Sequence, residues 1–176
     1  MLIATIMLGA DLQQFQKLST LLETTPDRFE ERGLIKDYSL EDWWSEGYVD
    51  QSLFLYAFAQ KHGYVLTLDW TGEEEPGELE AFVRKRLISL GAPSMTFDFI
   101  KAWEGTINWD KIERGDYIIE KLKRVDSELR KIGYAIAIHD LGWDSYSIFI
   151  VKEVDFDKLH PIEIEGKFRI LSASDL

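Results

Sequence analysis

The chain contains no cysteine. Disulfide staples, thiolate nucleophiles and cysteine-ligated zinc or iron–sulfur centres are therefore excluded, and the composition suits a reducing cytoplasm. Positive charge is scarce. Twenty lysines and arginines stand against 32 aspartates and glutamates, a formal net charge of −12. That excess keeps a chain dispersed in water and repels phosphate backbones and anionic membranes at long range. Neither nucleic acid nor a membrane is an expected partner, whereas a basic protein suits the charge.

Long apolar runs are missing as well. The stretch Met1–Ala10 is largely apolar, but it is far shorter than the ~20 residues of a membrane span and lacks the basic segment that opens a secretory signal. It reads as an N-terminal strand or the start of a buried helix. No G-x-S-x-G elbow, G-x-G-x-x-G turn, P-loop or H-E-x-x-H helix occurs. The histidines His62, His139 and His160 form no i, i+4 pair, so no metal and no cofactor is expected.

What is present is size and apolar content. With 176 residues, 45% of them hydrophobic, residues 1–176 are expected to form a single domain whose core needs no staple. One pattern occurs twice: Gly63-Tyr64 followed by an apolar run to Asp69-Trp70, and Gly133-Tyr134 followed by one to His139-Asp140 and Trp143. Each copy follows a helical pattern, so each glycine reads as a helix stop and each run as a strand.

The remaining elements follow from periodicity. Leu12, Phe15, Leu18 and Leu22 make one face of a helix that starts at Asp11 and closes by Pro26. Ser39–Asp42 matches a capping box before Trp43-Trp44. Residues 49–61 are apolar all round in their centre, as a buried helix is. Thr71–Pro76 is an acidic turn, and Leu79, Phe82, Val83, Leu87 and Leu90 line the helix after it. Residues 92–115 are too apolar for a free linker. Asp116 is the expected N-cap of the clearest helix, with Ile118, Leu122, Val125, Leu129 and Ile132 on one seam.

The second strand copy leads into a hairpin at Leu141–Asp144 and a partner strand over 145–154. A loop over 155–161, an edge strand at Phe168–Leu171 and an untethered end at Ser172–Leu176 complete the chain. The expected fold class is α+β: a mixed, mostly antiparallel sheet of three to five strands, with about five helices packed mainly on one side. The crossover after the first strand permits one parallel pair.

Candidate functional residues gather where the two strands exit. Asp69, Glu73, Glu74 and Glu75 follow the first copy, and His139, Asp140 and Asp144 the second. Were these strands neighbours, their carboxylates would meet at one rim. Six tryptophans, Trp43, Trp44, Trp70, Trp103, Trp109 and Trp143, all lie within two residues of an acid. Amphipathic rings beside charges suit contact surfaces, though most such rings serve as core or lids over a sheet.

The run His62–Trp70, with its acidic turn and following helix, resembles small bacterial domains of unknown function over about residues 40–150. That resemblance implies no catalytic residue. The acidic, tryptophan-rich makeup is also similar to that of immunity proteins, which neutralise basic toxin domains. The expectation is a cytoplasmic, non-enzymatic protein that binds a macromolecule through Asp69, Trp70, Glu73, Asp140, Trp143 and Asp144. The alternative is a metal-assisted hydrolase using Asp69, His139, Asp140 and Asp144. A third reading pairs an apolar edge strand with its own copy in a homodimer.

Overall fold

The computed structural model describes residues 2–113, 115–140, 144–159, 163–164 and 168–176. The chain divides into two compact units, Met1–Val65 and Leu66–Leu176.

The first unit is helical: α1 (Leu2–Leu8), α2 (Leu12–Thr24), α3 (Pro26–Glu31), α4 (Leu34–Asp37), α5 (Glu41–Ser45) and α6 (Gln51–Lys61). The apolar N-terminal stretch is thus a helix, with Ile3, Ala4, Met7 and Leu8 buried. Phe54 of α6 is the hub of an aromatic core. Its ring lies 5.6 Å from Phe15, 5.3 Å from Phe29 and 5.2 Å from Tyr38. Offset and edge-on rings at such distances add to the stabilisation that their buried area already brings. Asp50 caps α6 by accepting from the Ser52 and Leu53 N–H groups, which offsets the unpaired donors of its first turn. The capping box at Ser39 does not form. Leu40 is the cap of α5 without a side-chain bond, and Ser39 takes a left-handed φ of 53° instead.

The second unit is α+β. Its helices are α7 (Glu78–Ser89), α8 (Asp98–Glu104), α9 (Asp116–Arg130) and α10 (Glu153–Leu159). Its strands are β1 (Leu66–Asp69), β2 (Tyr134–Asp140), β3 (Ser145–Lys152), β4 (Glu163–Ile164) and β5 (Phe168–Ser172), in the spatial order β1-β3-β2-β5-β4. Among the described residues, all four pairings are antiparallel. The parallel pair that the crossover permits does not form, because β3 inserts between β1 and β2.

One face of the sheet carries Leu68, Tyr134, Ile136, Ile138, Ile148 and Ile150. These pack with Leu79, Val83 and Leu87 of α7, Ile100 of α8 and Ile118, Leu122, Val125 and Leu129 of α9. Each fully buried aliphatic side chain there contributes roughly 2 kcal/mol. Side chains alternate along a strand, so Ala135, Ala137, His139, Ser147, Phe149 and Val151 point to the opposite face, and they too are buried.

Four local expectations change. Residues 155–159 belong to α10 rather than a loop, since Phe156 and Leu159 fall on one helical face and are buried. β5 is an inner strand between β2 and β4. The chain end is tied down: Ser172 and Asp175 form a capping box around a short 3₁₀ turn, and Ala173 is fully buried. Gly115, not Asp116, occupies the N-cap position of α9.

β5 pairs with residues 137–140 only. This leaves the Ile136 N–H without a strand acceptor, and Asp126 of α9 supplies one at 2.7 Å. Asp126 also accepts from Arg130 Nε at 2.7 Å, so helix and sheet are joined by a buried carboxylate whose bonds are satisfied.

Candidate functional site

Besides Asp126, the inner face of α9 carries a buried cation that its apolar seam does not announce. Lys121 follows Ile118 by three positions and precedes Leu122, and its side chain is 1% exposed. An ammonium so buried needs partners of opposite charge. Lys121 Nζ lies 2.7 Å from Glu73 Oε2, 3.0 Å from Glu80 Oε1 and 3.9 Å from Glu104 Oε1. The cation at the centre of these three carboxylates is the lysine's own ammonium.

Each partner comes from a different element. Glu73 leaves the turn after β1, and its other oxygen accepts from the Leu79 N–H at 2.7 Å. It thus caps the first turn of α7, where negative charge is favoured. Glu80 sits in that same turn. Glu104 ends α8, and the Tyr117 hydroxyl donates to it at 2.6 Å. One lysine therefore ties the turn, α7 and α8 to α9.

Burial lowers the Lys121 pKa, but the hydrogen bonds it donates to Glu73 and Glu80 outweigh it and hold the ammonium above its ordinary range. Burial, reinforced by the bond to Glu104, pushes the Tyr117 phenol up to about 12. At neutral pH the pair is an ammonium and a neutral phenol. Neither is a nucleophile or a base in that state.

Around this clamp lies an aromatic surface. Trp103 stacks on Tyr117 at 5.5 Å with planes 7° apart, and Trp109 lies 5.4 Å from the same ring at 47°. Trp70 reaches the N-cap of α9 from the end of β1. A Cβ on Gly115 would lie only 3.0 Å from Trp70 Cε3, and Gly115 has a φ of 99°. Bare backbone in a conformation that favours glycine is what lets the indole seat there. Trp70 is 38% and Trp109 58% exposed. Glu74, Glu75, Asp110, Glu113 and Asp116 are exposed in the same segments.

The residues singled out from the sequence separate into three groups. Asp69, Trp70 and Asp144 do meet at one rim. Asp69 pairs with Ser145, and the Trp70 N–H donates to the Asp144 carbonyl at 3.4 Å. Glu73 is not at the surface: its side chain is 6% exposed because it caps α7 and binds Lys121. Asp140 stands 3.3 Å from Arg169. Trp143, the hairpin tip at Leu141–Trp143 and His160 lie outside the described residues.

Of the carboxylates in the hydrolase reading, Asp140 does not join Asp69 and Asp144 on one face. β3 separates β1 from β2. Asp69 shares a face with Ser145, Ser147 and His139, whereas Asp140, the next residue after His139, projects from the other face. His139 is 4% exposed, and burial pushes its imidazole down to about 4 against a small opposing effect of Asp140. Among the described residues, no group of three or more histidines or carboxylates could hold a metal ion. Among them, too, no helix is long and apolar enough to cross a membrane.

Sequence reasoning missed Lys121, Glu80, Glu104 and Tyr117. The one local signal was a lysine set against an apolar seam, three residues after Ile118; its partners are distant in sequence and carry no mark of their own.

No curated protein and no solved structure matches the chain. One family model does, over residues 4–170, and its reach across both units decides the matter: the chain belongs to the family described as Domain of unknown function (DUF6630).

Proposed function

We propose that this is a non-enzymatic binding protein whose acidic, aromatic face on the second unit holds a basic protein partner. The observation that carries this reading is the pair Trp70 and Trp109, both exposed, both resting on the first turn of α9. Exposed indoles on rigid backing are frequent hot spots, and the acids around them favour a partner of opposite charge. Asp69 and Asp144 extend the face along the sheet rim. The Lys121 clamp lies beneath it and fixes the elements that present it.

The protonation states favour binding over acid–base chemistry. Lys121, Tyr117 and His139 are all displaced away from neutrality, whereas a general acid or base works best near the operating pH. The hydrolase reading has no comparable support, since Asp69 and Asp140 leave opposite faces of the sheet. The resemblance to bacterial domains and the lack of cysteine support a bacterial, cytoplasmic setting.

The test is titration of the full chain with a basic and an acidic model protein at low and physiological salt. Binding of the basic protein alone, weakening as salt rises, is expected. Salt-independent binding of both, or of neither, would falsify the reading.

A further inference from the structure

We infer that Trp109 is the docking point for an arginine side chain of the partner. This deepens the acidic-face reading and rests on it, because it names the group that the face recognises.

Three rings run together at the start of α9, with Tyr117 in the middle, Trp103 stacked on it and Trp109 leaning on it. The Trp103 end already carries a guanidinium: the Arg124 Cζ lies 4.7 Å from the Trp103 ring centroid. At the other end Trp109 is 58% exposed as a residue. The run therefore shows at one end a group that its indole faces accept, and at the other presents a second, largely exposed indole.

The chemistry favours arginine at that face. An indole carries negative potential over its rings, and a planar, weakly hydrated guanidinium can lie flat on it. The compact, strongly hydrated ammonium of lysine cannot. Carboxylates stand close by in sequence: Asp110 follows Trp109 directly, and Asp116 precedes Tyr117. Both are exposed, as is Lys111 between them, so the acids of this segment outnumber its one described exposed base, and a carboxylate is a strong partner for a guanidinium. A ring serving only its own core would bury its area, since that burial is its main contribution. Contact with Tyr117 on one side restricts the Trp109 ring, so less side-chain freedom is left to lose when a partner arrives.

The experiment titrates the full chain with an oligo-arginine peptide and an oligo-lysine peptide of equal length, followed by calorimetry and indole fluorescence. The wild-type chain is expected to bind the arginine peptide several-fold more tightly. W109A is expected to lose about ten-fold in affinity for the arginine peptide, the size of a well-placed cation–π contact, and little for the lysine peptide. W109F keeps part of the preference, which covers the case in which W109A fails to fold. W44F, in the first unit, leaves it unchanged. Equal wild-type affinities for the two peptides, or an unaltered arginine affinity in W109A and W109F, overturn the arginine assignment while the acidic face stands. Failure of the wild-type chain to bind either peptide at low salt overturns the acidic-face reading, and this inference with it.

Discussion

Lys121 Nζ stands 2.7 Å from Glu73 Oε2, and both side chains are more than nine-tenths buried. The pair joins the middle of α9 to the turn that leaves β1 and caps α7. It holds in one place elements that the chain visits far apart, and it lies beneath the exposed tryptophans. Its energetic character is that of a buried ion pair: modest when intact, severe when halved.

Lys121→Met keeps the length and removes the ammonium. Glu73 and Glu80 are then left buried without a counter-charge, and Glu80 Oε2 already has no hydrogen-bond partner among the described residues. The expected loss is about 3–5 kcal/mol, the cost of stranding buried charge, seen as a lower urea midpoint. The triple variant K121M/E73Q/E80Q should recover part of it, because neutral amides can share hydrogen bonds. A midpoint for K121M equal to wild type would show that the cluster is hydrated and is not a clamp.

His139 makes stability depend on pH. Its folded pKa is about 4 because burial penalises the imidazolium; unfolded, the group returns to about 6.5. Between those values the unfolded chain binds a proton that the folded chain does not. The stabilisation is therefore complete above about pH 6.5 and is lost as pH falls through about 4, to a total of roughly 3 kcal/mol. Denaturation of wild type and H139L across that window checks the sign. H139L should flatten the fall relative to wild type; parallel profiles would mean that the imidazole is not the group responsible.

Gly115→Ala probes the seat of Trp70. Alanine at a φ of 99° is strained by about 1–3 kcal/mol, and its methyl carbon would meet the indole at 3.0 Å. Lower stability and altered Trp70 emission are expected. In a W70A background the same substitution should cost less, because only the backbone strain remains. If G115A costs the same with and without the indole, Trp70 does not rest on Gly115.

Much of the fold was legible from periodicity. The seam Ile118–Leu122–Val125–Leu129 places α9, and the run after Gly133-Tyr134 places β2, because burial of one face or one strand leaves a repeating mark in the sequence. Errors fell where that mark is short or absent. Glu153–Leu159 carries only two inward residues, Phe156 and Leu159, and reads as loop until packing buries them. The Ser39 capping box has the right letters but the wrong backbone, since φ is set by how α4 and α5 join and not by the tetrapeptide.

The candidate site was legible only in part. That Trp70, Asp69 and Asp144 share one rim could be read in advance because the strand ends announce themselves. Asp69 and Asp140 looked alike in the repeated pattern, yet they leave opposite faces, because one residue more or less along a strand reverses the side chain.

The sequence by itself determined the charge, the absence of thiol chemistry, the α+β class and the helical seams, for these depend on composition and on neighbours a few residues apart. Only the tertiary structure decided that β3 lies between β1 and β2, that Glu73 is buried and that Lys121 collects three glutamates. Those facts depend on which distant segments meet. A buried charge leaves no local trace of its partner; the requirement that it be neutralised is satisfied across space, by residues 48 positions away in the case of Glu73.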